Sequence, residues 1–110
     1  MPSREQQKQH LRTVITGKVV NAENVTAAMR EWRERFGVSQ RDLAEHMGVR
    51  ASVLSDYERG RRENPGVDIV AEYVGSLLDL SDAEGGEAIR FYNSKYVLRE
   101  RTVEADAPTA

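Results

Sequence analysis

An all-α fold is expected, a compact bundle of about five short helices with a helix or arm ahead of it and a helical extension behind. Three observations carry that expectation. Apolar residues recur at spacings of three and four, as in Met29, Trp32 and Phe36, which places them on one face of a helix. Residues able to cap a helix start, Ser3, Asn24 or Thr26, and Ser39, stand ahead of such runs, where a side-chain oxygen meets an otherwise unpaired amide. Glycines close them, at 17, 37, 48 and 60, because glycine adopts the left-handed conformation that ends a helix at little cost.

Ser3 with Gln6 fits a capping box, so a first helix is expected from about Ser3 to Ile15, broken by Gly17. Lys18 to Asn21 is short and β-branched, and is expected to be extended. The next helix carries Met29, Trp32 and Phe36 inward, with Arg30, Glu31, Arg33, Glu34 and Arg35 between them, and ends at Gly37. On such a stripe Trp32 is a core residue rather than a base-stacking one. Ser39 caps a helix starting at Gln40, with Leu43, Ala44 and Met47 inside, and Gly48 stops it. Val49 is expected to turn inward. Val53, Leu54 and Tyr57 mark a further short helix stopped by Gly60. Helices of about eight residues are not stable alone, so both need neighbours.

Asn64-Pro65-Gly66 signals a turn. Val67, Ile69, Val70, Val74, Leu77 and Leu78 form a dense stripe to about Leu80. Ser81 to Glu84 looks like a second capping box, followed by Gly85-Gly86. Ala88, Ile89, Phe91, Tyr92, Tyr96, Val97 and Leu98 are too apolar for a solvated tail. The resulting partition is 1–24, an N-terminal helix and extended arm; 25–80, the central domain; 81–101, a helical extension with a dimerisation role; and 102–110, a disordered tail.

Composition narrows the function. The chain has 110 residues, 39% hydrophobic and 31% charged, and no cysteine, which excludes disulfide and thiolate chemistry. No apolar run approaches the roughly 18 residues of a membrane span, and the N-terminus has no signal-peptide h-region. A cytoplasmic location is expected. The net charge of −2 is uneven: +2 for 1–25, +2 for 26–62 and −6 for 63–110. A basic N-terminal part and an acidic remainder suit one face toward nucleic acid and another elsewhere. His10 and His46 are the two histidines, far apart and without metal-ligand spacing, and there is no phosphate-binding glycine loop. No catalytic constellation, metal site or cofactor is expected.

Val38 to Arg62 therefore looks like a helix-turn-helix whose second helix, about Ala51 to Arg59, enters the DNA major groove. Its outward residues are Arg50, Ala51, Ser52, Ser55 and Asp56. Gln40 lies at a helix N-terminus, where free amides favour a phosphate, and Arg41 is a second candidate clamp. Arg59, Arg61 and Arg62 crowd the end of the second helix, where cations position a protein on phosphates without specifying sequence.

Met29 to Leu77 resembles the Cro/repressor (XRE) type of helix-turn-helix, its archaeal members most. The matching residues are Met29, Trp32, Arg33, Gly37-Val38-Ser39-Gln40, Leu43-Ala44, Met47-Gly48-Val49, Ser52, Leu54-Ser55, Tyr57-Glu58, Gly60-Arg61-Arg62, Pro65 and Val67. The resemblance implies that Arg50, Ala51, Ser52 and Asp56 occupy base-reading positions. Arg50 suits guanine O6 and N7, Ala51 a thymine methyl, Ser52 a base or phosphate, and Asp56 a cytosine amino group. It implies phosphate contacts for Gln40, joined by Arg41, Ser55, Arg59, Arg61 and Arg62. It also implies a partly buried ion pair between Arg33 and Glu58 that holds the fold.

One departure stands out. The family has serine or threonine where Arg50 stands, so the cap of the second helix is lost, at about 1 kcal/mol. With Ala51 small and Asp56 acidic, the base-reading surface is thin, and a homodimer or a basic arm of Arg4, Lys8, Arg12 and Lys18 is expected to supplement it. The expected function is a transcriptional regulator binding double-stranded DNA as a homodimer on a palindromic operator. The alternatives are a bridging-factor-type coactivator module and the antitoxin of a toxin–antitoxin pair, each engaging a protein partner through the acidic, apolar C-terminal half.

Overall fold

A computed structural model describes residues 3–98. The expected disordered tail, 102–110, lies outside the described residues, as does 99–101 at the end of the extension. Six α-helices follow one another: α1 Arg4–Val20, α2 Val25–Arg35, α3 Gln40–Met47, α4 Ala51–Glu58, α5 Val67–Ala83 and α6 Glu87–Tyr92. The last runs into a π-helical segment, Asn93–Leu98.

The caps follow local chemistry. Ser3 and Gln6 close a capping box, the Gln6 amide donating to Ser3 Oγ at 3.1 Å and the Ser3 amide to Gln6 Oε1 at 2.8 Å. Asn24, not Thr26, caps α2, and Ser39 caps α3 by accepting from the Asp42 amide at 3.0 Å. Gly48 ends α3 with φ of 73°.

Helix α5 is the spine. Val70, Tyr73, Val74, Leu77 and Leu78 are fully or almost fully buried, and α1 lies along one side of it while α2 and α3 lean on the others. From α1 come Leu11, Ile15 and Val19, all without solvent exposure. Their spacing of four explains a departure from expectation: Lys18 to Val20 is helical, not extended, and Gly17 sits inside α1 rather than ending it. Glycine costs about 1 kcal/mol within a helix, whereas burying Val19 on the Leu11–Ile15 stripe returns about 1.5–3 kcal/mol, so tertiary burial wins. Asn21 then ends the helix, donating to the Gly17 carbonyl at 2.8 Å.

The basic arm does not form. Arg4 pairs with Asp82; Lys8 Nζ lies 2.9 Å from Asp79 Oδ1 and 3.3 Å from Asp82 Oδ2. Arg12 Nε donates to the Ala71 carbonyl at 2.9 Å, and Lys18 Nζ sits 4.5 Å above the Tyr96 ring. All four cations are engaged within the fold. Gly75 makes the Arg12 contact possible, since a Cβ there would lie 2.9 Å from Arg12 Nε.

The second capping box is not formed either. Ser81 to Ala83 complete α5, and Gly85 and Gly86, both with positive φ, turn the chain into α6. Beyond that turn, Ile89 is fully buried, and Tyr92 and Tyr96 cover Trp32, with ring centroids 5.1 and 6.0 Å away. Trp32 itself is 4% exposed, a core residue as expected. Of the apolar side chains described in α6 and its continuation, Ala88, Ile89, Tyr92 and Tyr96 pack on the core and Phe91 is largely exposed, at 58%; the side chains of Val97 and Leu98 lie outside the described residues. Val49 and Val67, expected inside, are 39% and 61% exposed, because Val49 follows the left-handed Gly48 and Val67 opens α5 at the bundle's edge.

Candidate nucleic-acid interface

Two helix ends meet where phosphates are expected. The N-terminus of α3 and the C-terminus of α4 flank a recess of about 410 Å³ lined by Arg30, Arg33, Ser39, Gln40, Glu58 and Arg59. Ser39 occupies the Asp42 amide. The amides of Gln40 and Arg41 precede it in the first turn, where no intrahelical carbonyl is available to them. The helix dipole adds partial positive charge, and Arg59 brings an exposed guanidinium. The recess can hold an anion.

Its floor is a buried charge network. Arg33 grips Glu58 in bidentate fashion, Nε to Oε2 at 2.8 Å and Nη2 to Oε1 at 2.9 Å, and donates a third bond from Nη1 to the Val38 carbonyl at 2.9 Å. Gln40 Nε2 donates to Glu58 Oε1 at 3.1 Å, and the Tyr73 hydroxyl donates to Oε2 at 2.8 Å, with the Met29 carbonyl a second acceptor at 3.0 Å. Burial pushes the Glu58 carboxyl up, but the bonds from Arg33, Tyr73 and Gln40 outweigh it and hold the group below the ordinary carboxylate range. The same Glu58 carboxylate pushes Arg33 up. Burial, then the Glu58 charge, pushes the Tyr73 phenol up, so it stays a neutral donor. An ion pair this enclosed holds only because nearly every lone pair and proton is met.

On the outer face, Arg50 immediately precedes α4 and makes no side-chain cap bond, as the missing serine or threonine implies. Arg50, Ala51 and Ser52 are exposed together at its first turn, with Ser55 and Asp56 half-buried one turn on. Arg41 is exposed at the start of α3. The three cations after α4 separate. Arg59 joins the α3 recess, Arg61 Nη1 lies 3.9 Å from Asp56 Oδ1, and the Arg62 guanidinium leans over the Tyr57 ring at 5.5 Å. Asp56 thus sits beside a cation.

These helices make a bihelical unit: α3 is stopped by a left-handed glycine, α4 follows within three residues, and its solvent face is free. The family model described as Helix-turn-helix matches residues 29–74. This segment belongs to the XRE-type helix-turn-helix family. The helix-turn-helix therefore spans α2 to the middle of α5, with Arg33 and Glu58 tying its first and third helices together. An uncharacterized HTH-type transcriptional regulator of Methanocaldococcus jannaschii is 45% identical over 76 residues, covering 69% of this chain and 32% of that protein. One of the same description from Archaeoglobus fulgidus is 41% identical over 78 residues, covering 71% of this chain and 34% of that protein. The chain thus aligns with about a third of each relative's length. Neither description is that of an enzyme. No solved structure matches the chain.

Sequence reasoning missed two residues of this site. Arg30 lies one turn before Arg33 and so faces the same recess, a signal that spacing alone contained. Tyr73 had no such signal, because its role depends on a partner fifteen residues earlier. Among the described residues, no helix is long and apolar enough to cross a membrane.

Proposed function

We propose that this chain is a sequence-specific DNA-binding transcriptional regulator, acting as a homodimer on a palindromic operator in the cytoplasm. The observation that carries the proposal is the pairing of an anion-receptive recess at the start of α3 with a free outer face on α4. One phosphate would be gripped by the amides of Gln40 and Arg41 together with Arg59. Arg61, Arg62 and Ser55 would contact flanking phosphates. That grip would present Arg50, Ala51, Ser52 and Asp56 to the base edges. Gln40 acts mainly through its backbone, since its side-chain amide is engaged by Glu58.

The thinness of that surface favours two copies, with half-sites about one helical turn apart. Among the described residues of the 81–101 extension, Phe91 is the apolar side chain best exposed for a symmetric contact. The bridging and antitoxin readings rest on an acidic, apolar second half. Asp79 and Asp82 are occupied by Lys8 and Arg4, and Ile89 and Tyr92 by the core, so less of that half is free for a partner. Selection of bound sequences from random duplex DNA tests the proposal. A palindrome is expected, with affinity falling with salt at a log–log slope steeper than about −3. No selected sequence and a flat salt dependence would overturn it.

A further inference from the structure

We propose that the crevice behind α4 is a binding site for a small lipophilic amine, an aromatic ring carrying a short cationic tail. The crevice measures about 210 Å³ and is walled by side chains of α2, α3, α4 and α5 and of the α3–α4 turn, among them Met47, Val49, Val53, Tyr57 and Ile69. An engineered apolar cavity of about 150 Å³ takes up benzene, so this one has room for a ring and a few more atoms. Methionine is an adaptable lining that follows the shape of what enters. Two of the lining residues are half-exposed valine and isoleucine, and Val49 is more exposed still, so the crevice opens to solvent rather than lying sealed in the core.

Charge selects the ligand class. Glu72 is the one ionisable group of the lining other than tyrosine, and no lining residue is a cation. Glu72 is exposed, and among the described residues no Lys, Arg or His nitrogen lies within 4 Å of its carboxylate. Asp68 stands one turn earlier on the same face of α5. An apolar recess with a carboxylate at its lip rejects carboxylates and phosphates. It favours an ammonium held at the mouth while the ring enters. Because one wall is α4, a ligand that shifts this helix changes DNA affinity, and DNA changes ligand affinity by the same factor.

The binding step stands apart from the DNA-binding proposal and is tested without DNA. Phenethylamine and its neutral isostere 2-phenylethanol are titrated into the full chain and followed by methyl NMR. Saturable shifts are expected at Val49, Val53 and Ile69. Glu72→Gln, an exposed change that the fold tolerates, weakens phenethylamine about fivefold, the scale of a solvent-facing ion pair, and leaves 2-phenylethanol unchanged. Val53→Met fills the crevice and removes binding of both probes. Three outcomes overturn the proposal: no saturable shift up to about 10 mM, an equal response of both probes to Glu72→Gln, or shifts in the same methyls that follow protein concentration alone, which would make the face a self-association surface.

Discussion

Glu58→Ala tests the buried network most directly. The Glu58 side chain is 1% exposed and that of Arg33 12%. Truncation removes the acceptor of two Arg33 N–H groups, the Tyr73 hydroxyl and the Gln40 amide at once. Tyr73 retains the Met29 carbonyl and Arg33 the Val38 carbonyl, so the main loss is a guanidinium charge left without its partner. Breaking one side of a buried pair costs about 3–5 kcal/mol. With an unfolding entropy near 2.1 cal/mol/K per residue, a chain of this size loses about 4 °C of Tm per kcal/mol, so a fall of about 13–22 °C is expected. Asp56→Ala, on a half-buried surface carboxylate 3.9 Å from Arg61, stays within about 0.5 kcal/mol of the parent. Glu58→Leu with Arg33→Met, which removes both charges, recovers most of the loss. Differential scanning calorimetry at neutral pH reads all of these. Equal losses from Glu58→Ala and Asp56→Ala would refute the reasoning, and so would a double variant no better than the single one.

Four further outcomes are expected. Because Glu58 and Asp79 titrate below their ordinary values of 4.5 and 3.8, their stabilisation is complete above those values and is lost as pH falls through the depressed ones; chemical denaturation across pH 5 to 2 reads it, and Glu58→Gln flattens the acid limb. Gly17→Ala, in open helical space with no atom within 4 Å of a new Cβ, raises stability by about 0.5–1 kcal/mol, read as a higher Tm. Arg59→Ala weakens binding to all duplexes alike and reduces the salt slope by about one, whereas Arg50→Ala costs about 1–3 kcal/mol at one base position and relaxes selectivity there; fluorescence anisotropy on selected and scrambled duplexes separates them. Phe91→Glu shifts sedimentation toward monomer while leaving the Tm of the monomer unchanged.

By itself the sequence determined the helices and most of their ends. Ser3, Asn24, Ser39 and Gly48 act through atoms within four residues of themselves, so their roles need no knowledge of the rest of the chain. The same locality placed Arg50, Ala51 and Ser52 on one exposed turn, and family resemblance supplied Arg33 with Glu58. Only the tertiary structure decided which groups are free. Lys8 finds Asp82 seventy-four residues away, Arg12 reaches across Gly75, and Tyr92 and Tyr96 close over Trp32. The cations of the basic arm thereby pair within the fold, and Ile89, Tyr92 and Tyr96 of the extension pack on the core. Burial of Val19 on the α1 stripe overrode the local signal of Gly17 for the same reason: a helix propensity is worth less than a kilocalorie or so per residue, and packing against α5 is worth more. Arg61 and Arg62 find partners only five residues back, Asp56 and Tyr57, whereas Arg59 joins residues of α2 and α3 and the bond from Tyr73 to Glu58 joins α5 to α4, placements that no local spacing records.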